Sequence, residues 1–249
     1  MNLSKQDTKR EISFFNNLNV NDYNTMSSET QSLIYSTIDR YRIKGLVLEA
    51  GCGTGALGKR LIKINHNISV IGVDINRNFI KQIQKTNIAN YQAVVGNLEN
   101  NKMFDKEKFD CIIFPYILHH FPVINNVINN ALFWLKKGGV IIIIDPNGSN
   151  LILKISYLLR VFLYKIFPDK ISKYASLNEK TIPIDTFYNS LKKFKIFSIS
   201  SFIVIPNRKA PRDFFGMLSV IRFILLKFYY FLPFGKYRGS DIIIIAKKE

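Results

Sequence analysis

Residues 46–58, LVLEAGCGTGALG, constrain the fold more than any other stretch of this chain. Leu46, Val47 and Leu48 form a short apolar β-run that Glu49 ends. Gly51, Gly53 and Gly55 follow at alternate positions, and a helical pattern then starts with Leu57, Leu61 and Ile62. A strand that turns through glycines into a helix is how α/β folds hold nucleotide-like ligands. Missing side chains let the ligand approach the backbone, and the helix N-terminus offers N–H groups that the helix itself does not use.

The same residues fit two patterns. Gly53-Thr54-Gly55-Ala56-Leu57-Gly58 fits G-x-G-x-x-G, the dinucleotide fingerprint. Read from Glu49, the stretch is E-x-G-x-G-x-G. A carboxylate at the strand end suits a ligand with an ammonium group and suits a pyrophosphate poorly, because like charges repel. Downstream, Ser69 to Ile75 (SVIGVDI) is a second buried strand ending in Asp74, placed to accept from both hydroxyls of a ribose. Val94 to Glu99 (VVGNLE), Phe109 to Phe121 (FDCIIFPYILHHF) and Leu135 to Asn147 (LKKGGVIIIIDPN) follow in order.

These five motifs, spanning residues 46–147, resemble those of the class I S-adenosylmethionine-dependent methyltransferases, and most closely their small-molecule branch, which includes the ubiquinone/menaquinone type. The resemblance implies a Rossmann-like, doubly wound α/β sheet of seven strands in the order 3-2-1-4-5-7-6, the last antiparallel. It implies S-adenosylmethionine as cofactor, held by Glu49, Gly51, Cys52, Gly53, Gly55, Asp74, Ile75, Asn97, Leu98 and Phe114. Asn97 departs from the pattern, standing where an aspartate is usual. Its amide oxygen still accepts from an adenine amino group, but without charge assistance.

Methyl transfer demands an acceptor in line with the reactive carbon, and a base where the acceptor must lose a proton. His119 and His120, right after the fourth strand, are the histidines near the expected site, and His66 lies on the far side of the first crossover. The resemblance favours His120 as base, with His119 and Tyr116 beside it; the competing reading is that His120 shapes the loop through backbone hydrogen bonds. Phe114-Pro115-Tyr116 lacks the acidic or amide residue of the motif used by base-amino methyltransferases, which excludes that assignment. Tyr23 is a candidate for the methionine end of the cofactor.

At 249 residues with 47% hydrophobic content, one domain over 1–249 is the natural count. Its cofactor half covers 42–146. The N-terminus has no apolar signal region, and the polar lead carries Phe14 and Phe15. Cys52 and Cys111 each lie inside a core motif, which fits a reducing, cytoplasmic setting. No metal site is expected from the spacing of His and Cys.

Two segments, 147–178 and 206–239, are extra to the minimal sheet and are expected to form helical insertions at its carboxyl edge, as a cap over the substrate. Leu151, Ile155, Leu158, Leu159, Phe162 and Ile166 share one helical face of the first, with Lys154, Tyr157, Arg160, Tyr164 and Lys165 opposite. Phe214 to Phe234 is long enough to span a bilayer. Arg222 and Lys227 in its middle each cost about 2.5–3.5 kcal/mol there, which nearly cancels the apolar gain. A helix lying in the interface avoids that cost, because long basic side chains reach headgroups.

The chain carries a net charge of +17, of which residues 1–150 hold +5 and residues 151–249 hold +12. Such a distribution points to an anionic partner: anionic lipid, a phosphorylated substrate or nucleic acid. The combined expectation is a methyltransferase acting on a hydrophobic or lipid-linked small molecule, peripheral on the inner membrane face. The alternatives are an RNA methyltransferase, for which no RNA-binding module is visible, and a non-catalytic cofactor-binding relative. For the inserted helices, the alternative to membrane contact is packing on each other or on a second copy.

Overall fold

The computed structural model describes residue 13 and residues 28–166, 180–203, 214–231 and 238–249. Phe14, Phe15 and Tyr23 lie outside the described residues, as do parts of both inserted segments. The strands are β1 (Gly45–Ala50), β2 (Ile68–Asp74), β3 (Tyr91–Val95), β4 (Phe109–Pro115), β5 (Leu135–Pro146), β6 (Phe194–Phe202) and β7 (Asp241–Lys248). The helices are α1 (Ser28–Arg40), α2 (Ala56–Ile64), α3 (Arg77–Lys85), α4 (Ile124–Trp134), α5 (Leu151–Ile166), α6 (Ile184–Ser190) and α7 (Phe214–Phe231). The seven strands form one sheet in the order 3-2-1-4-5-7-6. Strand β7 runs antiparallel to both neighbours, and the other pairings are parallel.

The strand sequences are near-continuous apolar runs because helices cover both faces. On one face Val47, Val70, Cys111, Ile113 and Ile142 pack beneath Ile34 and Ile38 of α1 and Leu57 and Leu61 of α2. On the other, Leu48, Val73, Ile112, Phe114 and Ile141 pack beneath Val127 and Trp134 of α4 and Phe187 of α6. Trp134 is fully buried, and its indole N–H donates to the Asn101 carbonyl. Truncating it to Ala would cost about 3–5 kcal/mol.

The sequence places a helix over 123–136 and a strand over 140–145. In the structure α4 ends at Trp134 and β5 already starts at Leu135. Leu135 pairs with Phe109 and Val140 with Cys111, so the residues between them form an outward loop within the strand. Gly138 turns that loop at a φ of 76°, a backbone state costly for any residue with a Cβ.

Both inserted segments leave the carboxyl edge. Pro146 at the end of β5 and Phe202 at the end of β6 flank Asp241 at the start of β7. Helices α5 and α7 pack on each other. Two fully buried asparagines anchor them to the sheet. Asn150 caps α5 by accepting from Leu153 N–H, and its amide donates to the carbonyls of Arg238 and Gly239. The amide of Asn147 also donates to Gly239, while its oxygen accepts from Ser149 N–H. The start of the first insertion and the return of the second therefore meet at one hub.

Candidate active site

The glycine turn after β1 takes the shape that its sequence requires. Gly51, Gly53 and Gly55 have φ values of 70°, 51° and 74°, the left-handed region that side chains disfavour. A Cβ on Gly51 would come within 2.8 Å of the Ile117 side chain. The turn thus sits directly against the loop that carries the histidines.

Glu49 is placed otherwise than a ligand-facing carboxylate. The two-residue period of β1 puts it with Val47 on the face that α2 covers. There its Oε2 accepts from Gly58 N–H at 3.1 Å and from the Tyr91 hydroxyl at 2.7 Å. Burial pushes its carboxyl up to about 7, against the lowering effect of those two hydrogen bonds. Gly58 leaves the room for this contact, since a Cβ there would lie 2.5 Å from the Glu49 oxygen. Cys52 likewise turns inward, against Ile80, Ile83 and Ala93, and burial holds its thiol far above the usual range.

Asp74 stands at the end of β2, beside the turn. Its Oδ2 accepts from Gly53 N–H and its Oδ1 from Asn76 N–H, both at 2.8 Å. Burial raises its pKa, while those amides oppose the shift. The Ile75 amide is a third donor to this carboxylate, which keeps one further acceptor site for a hydroxyl. Ile75, next in line, is half-buried. The half-buried Asn97 uses its side-chain oxygen locally, accepting from Glu99 N–H at 3.0 Å. Leu98 and Phe114 give their side chains to the core, so only their backbones remain for a ligand.

The loop after β4 holds the polar centre. Leu118–His120 form a single 3-10 turn. His119 Nδ1 lies 2.5 Å from Asp145 Oδ1, and Leu118 N–H donates to Asp145 Oδ2 at 3.0 Å. An Nδ1–H held by a carboxylate leaves Nε2 as the basic nitrogen of the ring. The His120 ring packs against that of His119 at a tilt of 40°, with the ring centres 4.0 Å apart. Burial, then the neighbouring His119 and Arg160, hold His120 well below its ordinary pKa, so it is neutral. Tyr116, at a φ of 56°, places its hydroxyl 3.4 Å from Thr30 of α1 and within hydrogen-bond reach of Asp241. Asp241 also accepts from the Ser240 hydroxyl, and burial raises its carboxyl to about 6.

Asp145 and Asp241 escaped sequence reasoning. The signal for Asp145 was present, since it ends the apolar run of β5 as Asp74 ends that of β2. Asp241 begins β7, and only the antiparallel direction of that strand brings it to the carboxyl edge, opposite Pro146.

A cavity of about 390 Å³ lies over this centre. Its floor includes His119, Pro146, Ser240 and Asp241, with Lys180 and Thr181 at one side. Helix α5 contributes Leu153, Ser156, Tyr157 and Arg160, and α7 contributes Arg222, Phe223 and Leu226. His119 lines the cavity and His120 is not among its lining residues. The polar side of α5 therefore faces inward. Its apolar residues Leu151, Ile155, Leu158, Leu159, Phe162 and Ile166 are all exposed, Leu158 at 62% and Phe162 at 60%. Helix α7 likewise exposes Ile221, Ile224, Leu225 and Phe228, the last at 70%.

Strand order, glycine turn and the acid ending β2 together define the class I S-adenosylmethionine-dependent methyltransferase fold. A family described as a methyltransferase domain matches residues 44–195, and the chain belongs to that family. It is 32% identical over 105 residues to phthiotriol/phenolphthiotriol dimycocerosates methyltransferase 1 of Mycobacterium ulcerans, covering 42% of this chain and 38% of that one. It is 31% identical over 114 residues to ribosomal RNA small subunit methyltransferase C of Haemophilus influenzae, covering 43% and 34%. The chain thus spans little more than a third of the length of these relatives. A crystal structure of a SAM-dependent methyltransferase from Archaeoglobus fulgidus superposes with a TM-score of 0.54 at 22% identity, covering 88% of this chain and 94% of that one, a likeness of fold.

Proposed function

We propose that the protein transfers a methyl group from S-adenosylmethionine to a hydrophobic or lipid-linked small molecule at a membrane surface. The residues at the glycine turn fit that cofactor. Gly51, Gly53 and Gly55 leave the backbone bare, and Asp74 offers an acceptor to a ribose hydroxyl beside them. The Asn97 amide and the Leu98 backbone stand at the end of β3, where an adenine edge would lie. Bound there, the cofactor supplies an electrophilic methyl group. His119, oriented by Asp145, holds Nε2 as the base for a proton leaving the acceptor, and Tyr116 and Asp241 complete the polar floor. The neutral His120 supports the ring of His119.

The observation that carries the lipid reading is the outward display of large apolar side chains on both α5 and α7, while α5 turns Ser156, Tyr157 and Arg160 to the cavity. The relatives' names span both acceptor classes, a lipid and a ribosomal RNA. Exposed Leu158, Phe162 and Phe228 favour the first, since aliphatic surface contributes little to phosphate-backbone binding. Among the described residues no helix is long and apolar enough to cross a membrane, which fits helices lying in the interface.

The test has two parts. Calorimetry should show binding of S-adenosylmethionine and none of NAD, with Asp74→Ala weakening it by about 1.5–3 kcal/mol. Binding of NAD alone would end the reading. Incubation with labelled S-adenosylmethionine should then mark lipid extracts and leave ribosomal RNA unlabelled; the reverse result would move the acceptor to RNA.

A further inference from the structure

The cavity between the inserted helices has a charge pattern that the transfer of a methyl group does not require. Arg160 comes from α5, Lys180 from the segment before α6, and Arg222 from α7. Among the described residues Asp241 is the one acid in the lining, and it is already engaged as an acceptor for Ser240 and Tyr116. Ser156, Tyr157 and Thr181 add hydroxyls to the same wall.

Two of the cations are held in place by contacts of their own. The Arg160 guanidinium lies 5.4 Å from the centre of the Tyr157 ring, and Lys180 Nζ donates to the Pro122 carbonyl at 2.6 Å. Ordered cations lose less freedom when a ligand arrives. A guanidinium presents a planar fork of donors matched to two oxygens of one anion. Cations converging from three separate segments fit an anion with several oxygens better than a single carboxylate. About 390 Å³ lies within the range of small-molecule sites.

We propose that this cavity binds a phosphate-bearing group of the methyl acceptor, with Arg160, Lys180 and Arg222 as its cationic lining. The inference rests on the methyltransferase reading above. It places the charged head of the acceptor over His119, between the inward faces of α5 and α7, while their exposed outer faces serve the apolar remainder. A phosphate ester and a diphosphate share this chemistry, whether attached to a lipid or to a soluble molecule.

Calorimetry on the full chain separates the possibilities, with decyl phosphate, decanol and inorganic phosphate as probes. Decyl phosphate should bind about 10-fold or more tightly than decanol, and Arg160→Gln should remove that advantage. Arg222→Gln is the second variant; Arg222 is largely exposed, which keeps the fold intact while the charge is lost. Inorganic phosphate binding weaker than decyl phosphate would assign the site to a lipid-linked phosphate, and equal binding to a soluble one; either supports the subsite. Equal affinity for decyl phosphate and decanol, or an advantage untouched by both variants, would overturn it. S-adenosylhomocysteine binding is measured on the same samples. Its absence would strike the methyltransferase reading, whereas its presence without phosphate preference would strike only the subsite.

Discussion

His119, rather than its neighbour, holds the chemically prepared position. Removing it should lower turnover about 10²–10⁴-fold with little change in cofactor affinity, and Asp145→Asn should follow the same trend by disturbing the tautomer. His120→Ala should cost less than about tenfold in steady-state turnover. A variant of His119 with near-normal turnover would remove it as the base. The family resemblance favoured His120, and adjacent residues of one type carry no mark in the sequence of which one meets the carboxylate. The partner, Asp145, lies 26 residues further on. Glu49 gives a second residue-scale test. Its folded pKa, about 7, exceeds its ordinary value of 4.5 because of burial. Below 4.5 the group is neutral whether the chain is folded or not. As pH rises through 7 the folded state must bury a carboxylate. Its contribution to stability is therefore full at acid pH and lost above neutrality, a swing of about 3 kcal/mol. Gln keeps an acceptor for Gly58 and Tyr91 and has no charge to bury. Chemical denaturation at pH 5 and pH 8 should show Glu49→Gln gaining on the wild type as pH rises; a constant difference would refute the assignment.

Among the elements, the central strands and their helices were legible because their patterns are local. Helix α2 begins at Ala56 and ends at Ile64, as its apolar spacing after the glycine turn predicts. The loop inside β5 was less legible, because the pairing of Leu135 with Phe109 is a long-range contact that outweighs the helical continuation of α4. Helices α5 and α7 stand over the apolar runs of the two inserted segments, yet the side they present was not readable. The pattern alone allowed an apolar face turned to a membrane or one packed on another helix, and in the structure α5 turns Tyr157 and Arg160 inward and leaves Leu158 and Phe162 exposed. What fixes the orientation is its root, where Asn147 and Asn150 are committed to the Arg238 and Gly239 carbonyls. Replacing Asn150 with Ala removes a cap and leaves a buried carbonyl without its donor. It should cost about 1–3 kcal/mol in urea unfolding, and Asn147→Ala a similar amount. The double variant should exceed the sum, because either side chain alone still supplies a donor to the Gly239 carbonyl that both share.

Taken whole, the molecule is polarised. Its C-terminal part holds +12 of the +17 charge and also the exposed apolar faces of α5 and α7. Interfacial binding scales with buried apolar area plus attraction to anionic lipid, each basic residue near the surface adding about 1 kcal/mol. The protein should therefore sediment with anionic liposomes more than with neutral ones, and salt should weaken this without abolishing it. Phe162→Ser with Phe228→Ser should reduce binding to both kinds of liposome. Both positions are exposed on the outer faces and neither lines the cavity. Failure to bind any liposome, together with a concentration-dependent mass that the same variants disrupt, would assign the faces to a second copy of the chain. The asparagine hub carries one more consequence, for how such proteins diversify. Because both insertions are moored at the same point, α5 and α7 behave as a single cassette on the sheet, while α6 and β6, between them in the chain, belong to the sheet's own packing. A chimera that exchanges the whole cassette should carry acceptor choice with it and leave cofactor binding to the recipient. One that exchanges α5 alone strands the carbonyls at the base of α7. On that reading, acceptor preference would pass between such proteins in one piece.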